Sequence, residues 1–484
     1  MNFDVIICFE VHAELDTKTK LFCKCSTNSD APPNTNVCPV CTGQPGALPV
    51  LNRMAVEHCV RAGLSLNCTI ANHAGFARKN YFYPDLPKGY QISQFEFPFC
   101  TDGFLEIMDD NGKEYKVGIK RVHLEEDAGK LLHASGSLKT SKYSLVDFNR
   151  AGVPLIEIVA DHTRNPIRSL TEARLYLEKT RQILRYIGVS KCRMEKGELR
   201  CDANISLRQK GSKEFGNRVE MKNMASFKLV LEALSYEIKR QSGKLRAGET
   251  IIQETRLYDE VSKVTVPMRS KENAPDYRYF PEPDLVDIDL DRGYIEKLTN
   301  ETPELPEQKA NRIIKDYGIP AGDAVILTKE KGVSDYFLSC VPICSDTSRA
   351  SKWIIKELFK LLNASSIPIE KCPVTPERFS MLINLLSNGD ITDIIGRAVL
   401  EEMFHDETEP LDIIKKKGLE PIENKDELKK TVDTVLLENR GAVSQIRQGN
   451  TKSISYLIGQ VMKKTNGRAN PKETRDLIDE AVRG

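Results

Sequence analysis

No apolar run in this sequence approaches the roughly 20 residues that a membrane helix requires, which excludes a helical membrane protein and leaves no membrane partner to expect. The opening Met1-Asn-Phe-Asp-Val-Ile-Ile7 offers neither a basic n-region nor a small-residue cleavage site, so no secretory leader is expected and the cytoplasm is the default compartment. An excess of one charge sign is also missing. Lys and Arg number 70 against 69 Asp and Glu, a net charge of +1, so total charge by itself argues for no nucleic-acid partner. Phosphate-cradling loops are absent: no G-x-G-x-x-G follows a strand pattern, and Gly112-Lys113, Gly129-Lys130 and Gly243-Lys244 all lack the earlier glycine of a P-loop. Any ATP must then be held by metal and side chains. There is no G-x-S-x-G elbow and no Gly/Ser-rich amidase stretch, so any amide hydrolysis belongs elsewhere.

What is present starts with cysteine. Cys23-Lys-Cys25 is followed after a twelve-residue spacer by Cys38-Pro-Val-Cys41. Pairs separated by one or two residues let two turns present four thiolates to one tetrahedral ion, and the expectation is structural zinc on Cys23, Cys25, Cys38 and Cys41. Four of the thirteen cysteines fall in this window among Pro32, Pro33, Pro39 and Gly43, which sets them apart from ordinary scattered thiols. The odd total fits a reducing compartment better than a disulfide framework.

At 484 residues, 40% hydrophobic and 29% charged, the chain should hold about two to four soluble domains. Up to about Leu290 it reads as strand-rich, with strands expected over 4–15, 115–123, 155–159, 204–207 and 218–221. One helix interrupts them, capped by Ser169 with Glu172 and stopped by Gly188, and a second is expected from about Phe227 to Ser242. Pro303-Glu-Leu-Pro306 reads as a boundary. Helical periodicity follows over 307–405 and again over 411–484, where Asn470, Pro471 and Glu473 mark a helix start. From Gly441 onward Arg447, Lys452, Lys463, Lys464, Arg468, Lys472, Arg475 and Arg483 outnumber Glu473, Asp476, Asp479 and Glu480, either a basic tail for a polyanion or a solvated face.

Side chains alternate along a strand, so Glu10 with His12, His123 with Glu125 and Asp127, and Asp202 with Asn204 should each share a face. Glu157 stands in the apolar run Pro154-Leu-Ile-Glu157-Ile-Val, where an acid is costly unless paired or metal-bound. Together with Glu220 and Lys222, these residues describe an acidic site for a hard cation such as magnesium, working beside phosphates. Taken one at a time, each acid reads equally as an exposed or salt-bridged residue. Arg78-Lys-Asn-Tyr-Phe-Tyr-Pro-Asp-Leu-Pro-Lys88 and Asp276-Tyr-Arg278-Tyr-Phe-Pro-Glu-Pro-Asp284 interleave cations and rings, either to stack unpaired bases or to pack a rigid loop.

These segments, with Ile6-Ile-Cys-Phe-Glu-Val-His12, Ala31-Pro-Pro-Asn-Thr35, His123-Leu-Glu-Glu-Asp-Ala-Gly-Lys130, Asn149-Arg-Ala-Gly-Val-Pro-Leu-Ile-Glu157, Leu199-Arg-Cys-Asp-Ala-Asn204 and Tyr456-Leu-Ile-Gly-Gln-Val-Met462, resemble the B subunits of aspartyl/glutamyl-tRNA amidotransferases along essentially the whole chain. The resemblance implies an α+β fold: a cradle domain with a β-sheet core over 1–293, an all-α domain over 294–405 and a small helical, tRNA-binding tail over 406–484. It implies partners, an amidase A subunit and a small C subunit, and mischarged tRNA(Gln) or tRNA(Asn) as substrate. ATP, Mg2+ and Zn2+ are the implied cofactors. Carried onto this sequence, it assigns Glu10, His12, Glu125 and Glu157 to catalysis and magnesium, Asp202 and Glu220 to magnesium as well, and Lys79, Lys88 and Arg278 to substrate. The family pattern has glycine at Cys8, a second acid at Lys196 and asparagine at Ala225; the expectation is that Lys196 and Ala225 have no metal or hydrogen-bonding role. The archaeal-type E subunit needs an insertion that 484 residues cannot hold. A non-catalytic RNA-binding protein with a zinc knuckle is the alternative from a different class.

Overall fold

Strand β1 (Phe3–Glu14) alternates Ile7, Phe9, Val11 and Ala13, each no more than 1% exposed, with Cys8, Glu10, His12 and Glu14. One of its faces is therefore apolar and the other polar. The computed structural model that shows this describes residues 3–28, 30–109, 111–134, 141–270, 276–420, 422, 424–447, 452–465 and 467–483; the side chain of Arg483, counted in the basic tail, lies outside the described part. The chain divides into two compact units, Met1–Leu305 and Pro306–Gly484, at the expected proline pair.

In the first unit β1 is the middle of a nine-stranded sheet. Its other strands are β2 (Thr69–Ile70), β3 (Cys100–Met108), β4 (Glu114–Glu126), β5 (Pro154–Ala160), β6 (Leu199–Gln209), β7 (Val219–Lys222), β8 (Glu254–Asp259) and β9 (Val264–Ser270), in the order β9-β8-β7-β6-β1-β5-β4-β3-β2. All neighbours are antiparallel except β7 and β8. The five expected strands are all there, several of them longer than expected.

Helices α1 (Arg53–Ser65), α2 (Leu170–Tyr186) and α3 (Phe227–Arg246) share one core with the apolar side of β1. Phe9 stacks on Tyr176 of α2 at 5.8 Å between centroids. α2 begins as expected: Ser169 Oγ accepts from the Glu172 amide at 3.1 Å, and the Glu172 carboxylate reaches back to the Arg168 amide at 3.0 Å. α3 runs past Ser242 because Leu245 still packs on the core. α1 is a helix that periodicity did not reveal. Its buried stripe consists of small and β-branched residues, Ala55, Val56, Cys59, Val60, Ala62 and Gly63, which lack the large apolar side chains that mark a helical period in a sequence. Asn52 caps it by accepting from Met54 N at 2.9 Å, and Gly63 is required where a Cβ would lie 2.3 Å from the Cys100 sulfur.

The second unit is helical throughout its described residues and holds two apolar cores. One gathers Ile313, Phe337, Trp353, Phe379 and Met403, the other Leu428, Val432, Leu457, Val461 and Ile478. Its last helix, Pro471–Arg483, starts where expected, with Asn470 accepting from Lys472 N at 2.9 Å. Among the described residues no helix is long and apolar enough to cross a membrane.

Truncating Phe9 to Ala removes the ring that seats α2 on the sheet, and should cost the first unit about 3–5 kcal/mol. In urea the far-UV strand signal should shift to lower denaturant, while the fluorescence transition of the single tryptophan, Trp353 in the other unit, stays in place.

Candidate functional site

The polar face of β1 meets its neighbours in register. His12 lies opposite Glu157 on β5, and Glu157 lies opposite His123 on β4. His12 Nε2 is 3.5 Å from Glu157 and 3.9 Å from Glu125, while His123 Nε2 is 3.3 Å from Glu157 and 3.5 Å from Glu125. One donor atom from each of His12, Glu125 and Glu157 lies within 4.8 Å of the others. Ser93 donates to the second side of this group, Oγ to Glu125 at 2.9 Å. Burial works against the His12 imidazolium, yet the charge and hydrogen bond of Glu157, with Glu125 behind them, push it up to about 9. His123 is raised against burial by the same carboxylates. Burial opposes ionised Glu157 too, but His123 and His12 hold it well below the usual carboxylate range. His123 Nδ1 is buried without a partner.

A second group lies beside the first on the same face. Glu10 stands opposite Asp202 on β6, and Glu10, Asp202 and Glu220 of β7 each bring an oxygen within 4.8 Å of the others. Asn204, opposite Glu220, donates from Nδ2 to Glu10 at 3.1 Å, while its Oδ1 is buried with no partner. Lys222 ion-pairs with Asp202 and lies 3.3 Å from Glu220, whose other oxygen accepts from Thr255 at 2.8 Å. Burial, followed by the charge of Glu157, raises Glu10. Sequence alternation placed these acids on one face but as a single site; the structure resolves two adjoining groups. Asp127, which alternation put with Glu125, is instead taken by Arg200 at 2.8 Å and Arg150 at 3.6 Å.

Lys79 lies near the first group, close enough for Glu125 and Glu157 to act on its charge. Its ammonium sits 5.1 Å from the Tyr277 ring and 5.8 Å from that of Tyr81. Burial opposes its charge, but Glu125, Tyr279 and Glu157 hold it above the ordinary lysine range. The rings continue outward as a chain, Tyr81 to Tyr277 at 6.2 Å, Tyr277 to Tyr279 at 5.9 Å and Tyr279 stacked on Phe95 at 4.2 Å. Lys88 does not join this group. It pairs with Glu126, which alternates to the other side of β4 from Glu125, and both line a cavity of about 90 Å³ with Lys20, Cys23 and Cys41. Arg278 also stands apart, 83% exposed, with Asp276 at 3.5 Å.

The four cysteines converge as their spacing required: one sulfur each from Cys23, Cys25, Cys38 and Cys41 lies within 4.8 Å of the rest. Buried Lys20 approaches Cys41 Sγ at 3.6 Å and donates to Phe148 O at 3.2 Å. A hydrogen bond from Cys23, opposed by burial and aided by the Cys38 amide and Lys20, holds the Cys41 thiol down to about 4. Asn149 fastens the loop by donating to Pro32 O at 2.8 Å and Ala31 O at 3.2 Å. Lys196 corrects an expectation, because its long stem reaches the same loop and donates to both Asp30 oxygens at 2.8 and 3.1 Å. His123, Asn204 and Lys222 stand on this face as alternation placed them, although the family resemblance assigns them no role. The signal for them is their alternation with residues it did assign.

Residues 5–296 match the family model described as the GatB/GatE catalytic domain, and residues 335–482 match the GatB domain. Curated relatives cover nearly the whole chain. The chain is 49% identical over 477 residues to the B subunit of the aspartyl/glutamyl-tRNA(Asn/Gln) amidotransferase of Carboxydothermus hydrogenoformans, covering 99% of this chain and 98% of that one. It is 50% identical over 478 residues to the protein of the same name from Thermodesulfovibrio yellowstonii, with 99% of each covered. For the Persephonella marina protein, also of that name, the figures are 48% over 484 residues and 100% of each.

Replacing Glu157 by Gln removes the main charge that raises His12, so the imidazole should titrate well below 9, toward or under its ordinary 6.5. A histidine raised on folding contributes stability that is complete below its unfolded value and fades as pH climbs through the folded one. The cation-free wild-type chain should therefore lose this contribution between about pH 6.5 and 9, and Glu157→Gln should flatten that slope. Carbon-13 histidine NMR and thermal melts across this range check both.

Proposed function

The chain belongs to the GatB family, the B subunits of aspartyl/glutamyl-tRNA amidotransferases, and from that premise we propose that it activates the side-chain carboxylate of Glu-tRNA(Gln) or Asp-tRNA(Asn) with ATP for conversion to the amide. The observation that carries this reading is the convergence of five carboxylates, in two clusters, with two imidazoles on one face of the sheet, and a ring-caged lysine from a neighbouring strand near them. A carboxylate resists attack by ammonia because its carbon is electron-rich and its oxygen leaves poorly. Transfer of the γ-phosphoryl group of ATP to a carboxylate oxygen breaks its bond to the β-phosphate oxygen, releases ADP and makes an acyl phosphate. Ammonia nitrogen then bonds to the carbonyl carbon, gives up a proton to the solvent or a neighbouring carboxylate, and phosphate departs as its bond to that carbon breaks.

The donor set suits magnesium. It is rich in oxygen, and the orphaned Asn204 Oδ1 beside Glu10 is an oxygen not yet counted. Held by His12, Glu125 and Glu157, and by Glu10, Asp202 and Glu220, divalent cations would neutralise phosphate charge during the transfer. Ser93 orients Glu125, and Asn204 orients Glu10. Lys79, fixed by its ring cage, offers a positive charge to the reacting carboxylate or phosphate. The ring chain from Tyr81 to Phe95 suits the unpaired acceptor end of a tRNA. Lys88 and Arg278 stand farther from the group, as secondary contacts to substrate. No nucleophile for glutamine hydrolysis is needed here, because ammonia comes from an amidase A subunit joined through a small C subunit in the cytoplasm.

In this reading 1–293 is the catalytic cradle, 294–405 the helical connector and 406–484 the part that meets the tRNA body. The second unit does hold two separate apolar cores, although Ile413 and Ile414 belong to the first of them, so the cores part between 419 and 422 and not at 406. The four cysteines hold zinc as a structural clip.

Glu125→Gln in the reconstituted heterotrimer should lower amide formation by about a hundredfold or more, since several kcal/mol of charge stabilisation depend on that site, while glutaminase activity and folding remain. Parallel assays with Glu-tRNA and Asp-tRNA, reading ADP release, separate this from a protein that only binds RNA, which would release none. For the clip, elemental analysis should find one zinc per chain, absent in Cys38→Ser, whose melting temperature should fall.

A further inference from the structure

Lys222 is the residue of the polar face that the proposed chemistry leaves unused. It follows Glu220 by two on β7, so both side chains share the face that carries Glu10, Asp202 and Asn204. Its ammonium is paired with Asp202 and lies 3.3 Å from Glu220, while Thr255 takes the other Glu220 oxygen at 2.8 Å. Lys222 thus faces one of the two Glu220 oxygens through which the acid could ligand an ion. Asn204 Oδ1 meanwhile has no donor, and the carboxylates around it can supply none. The group as it stands holds three acids, one tethered cation and one unused amide oxygen.

We propose that Lys222 is an exchangeable cation: it neutralises Asp202 and Glu220 when no metal is bound, and is displaced when a divalent ion enters the oxygen set of Glu10, Asp202, Glu220 and Asn204. The inference rests on the reading that this group takes a cation, and it deepens that reading. An ammonium and a divalent ion held close together on the same two carboxylates repel each other, and a flexible four-carbon stem lets the lysine withdraw while keeping its charge near incoming phosphates. Lys222 acts here as a positioning residue whose place is set by occupancy of the group.

The test uses the full chain and Mn2+. Amine acetylation read by mass spectrometry should find Lys222, whose side chain is 31% exposed, poorly labelled without metal and labelled several-fold more at saturating Mn2+. Removing the competing charge in Lys222→Met should tighten Mn2+ binding to this group by about tenfold or more, read by electron paramagnetic resonance, with transamidation reduced. Asp202→Asn identifies the group, because it should remove that class of Mn2+. If wild type shows no Mn2+ sensitive to Asp202→Asn, the cation reading fails and the exchange fails with it. Mn2+ bound there without a rise in Lys222 labelling overturns the exchange alone, and so does an unchanged or weaker affinity in Lys222→Met. The labelling arm stands even where Lys222→Met does not fold.

Discussion

Carboxylates on neighbouring strands repel one another, and this face of the sheet has several. Strands lie about 4.8 Å apart, and two like charges at about 4 Å repel by about 4 kcal/mol at an effective dielectric of 20. Such a surface must carry countercharge. In one group the carboxylates raise both His12 and His123 toward holding a proton, and in the other the ammonium of Lys222 carries the countercharge. Both arrangements put a monovalent positive charge where a divalent ion would fit. The raised imidazoles, the depressed Glu157 and the ion-paired lysine are three expressions of that one constraint.

Holding such a surface together falls to the opposite side of the sheet. Ile7, Phe9, Val11 and Ala13 anchor β1 in the core shared with the three helices, so the polar residues between them cannot slide. A one-residue slip would send Glu10 and His12 into apolar packing and Phe9 into the acids. The cysteine loop adds a second restraint. Between β1 and α1 it closes over Lys20, Lys88 and Glu126, and Asn149 and Lys196 tie it to segments on either side. Lys79 and its rings then add a positive charge near the acids.

The sequence by itself determined the periodicities: the two faces of β1, the caps of the helices at Ser169 and Asn470, the proline pair between the units, and the cysteine spacing that brings four sulfurs together. Each depends on residues near one another along the chain, where side-chain direction follows from the backbone repeat. What only tertiary structure decided is which strands stand side by side. Nothing local told that Glu157 lies between His12 and His123, that Glu220 joins Glu10, or that Glu126 finds Lys88 as its partner. Helix α1 was hidden for a related reason, since its stripe of small residues carries little apolar period and its close approach to Cys100 at Gly63 belongs to the tertiary fold. Register across a sheet joins residues more than a hundred positions apart, and it is chosen by the fit of the whole apolar face. The countercharges follow from that choice.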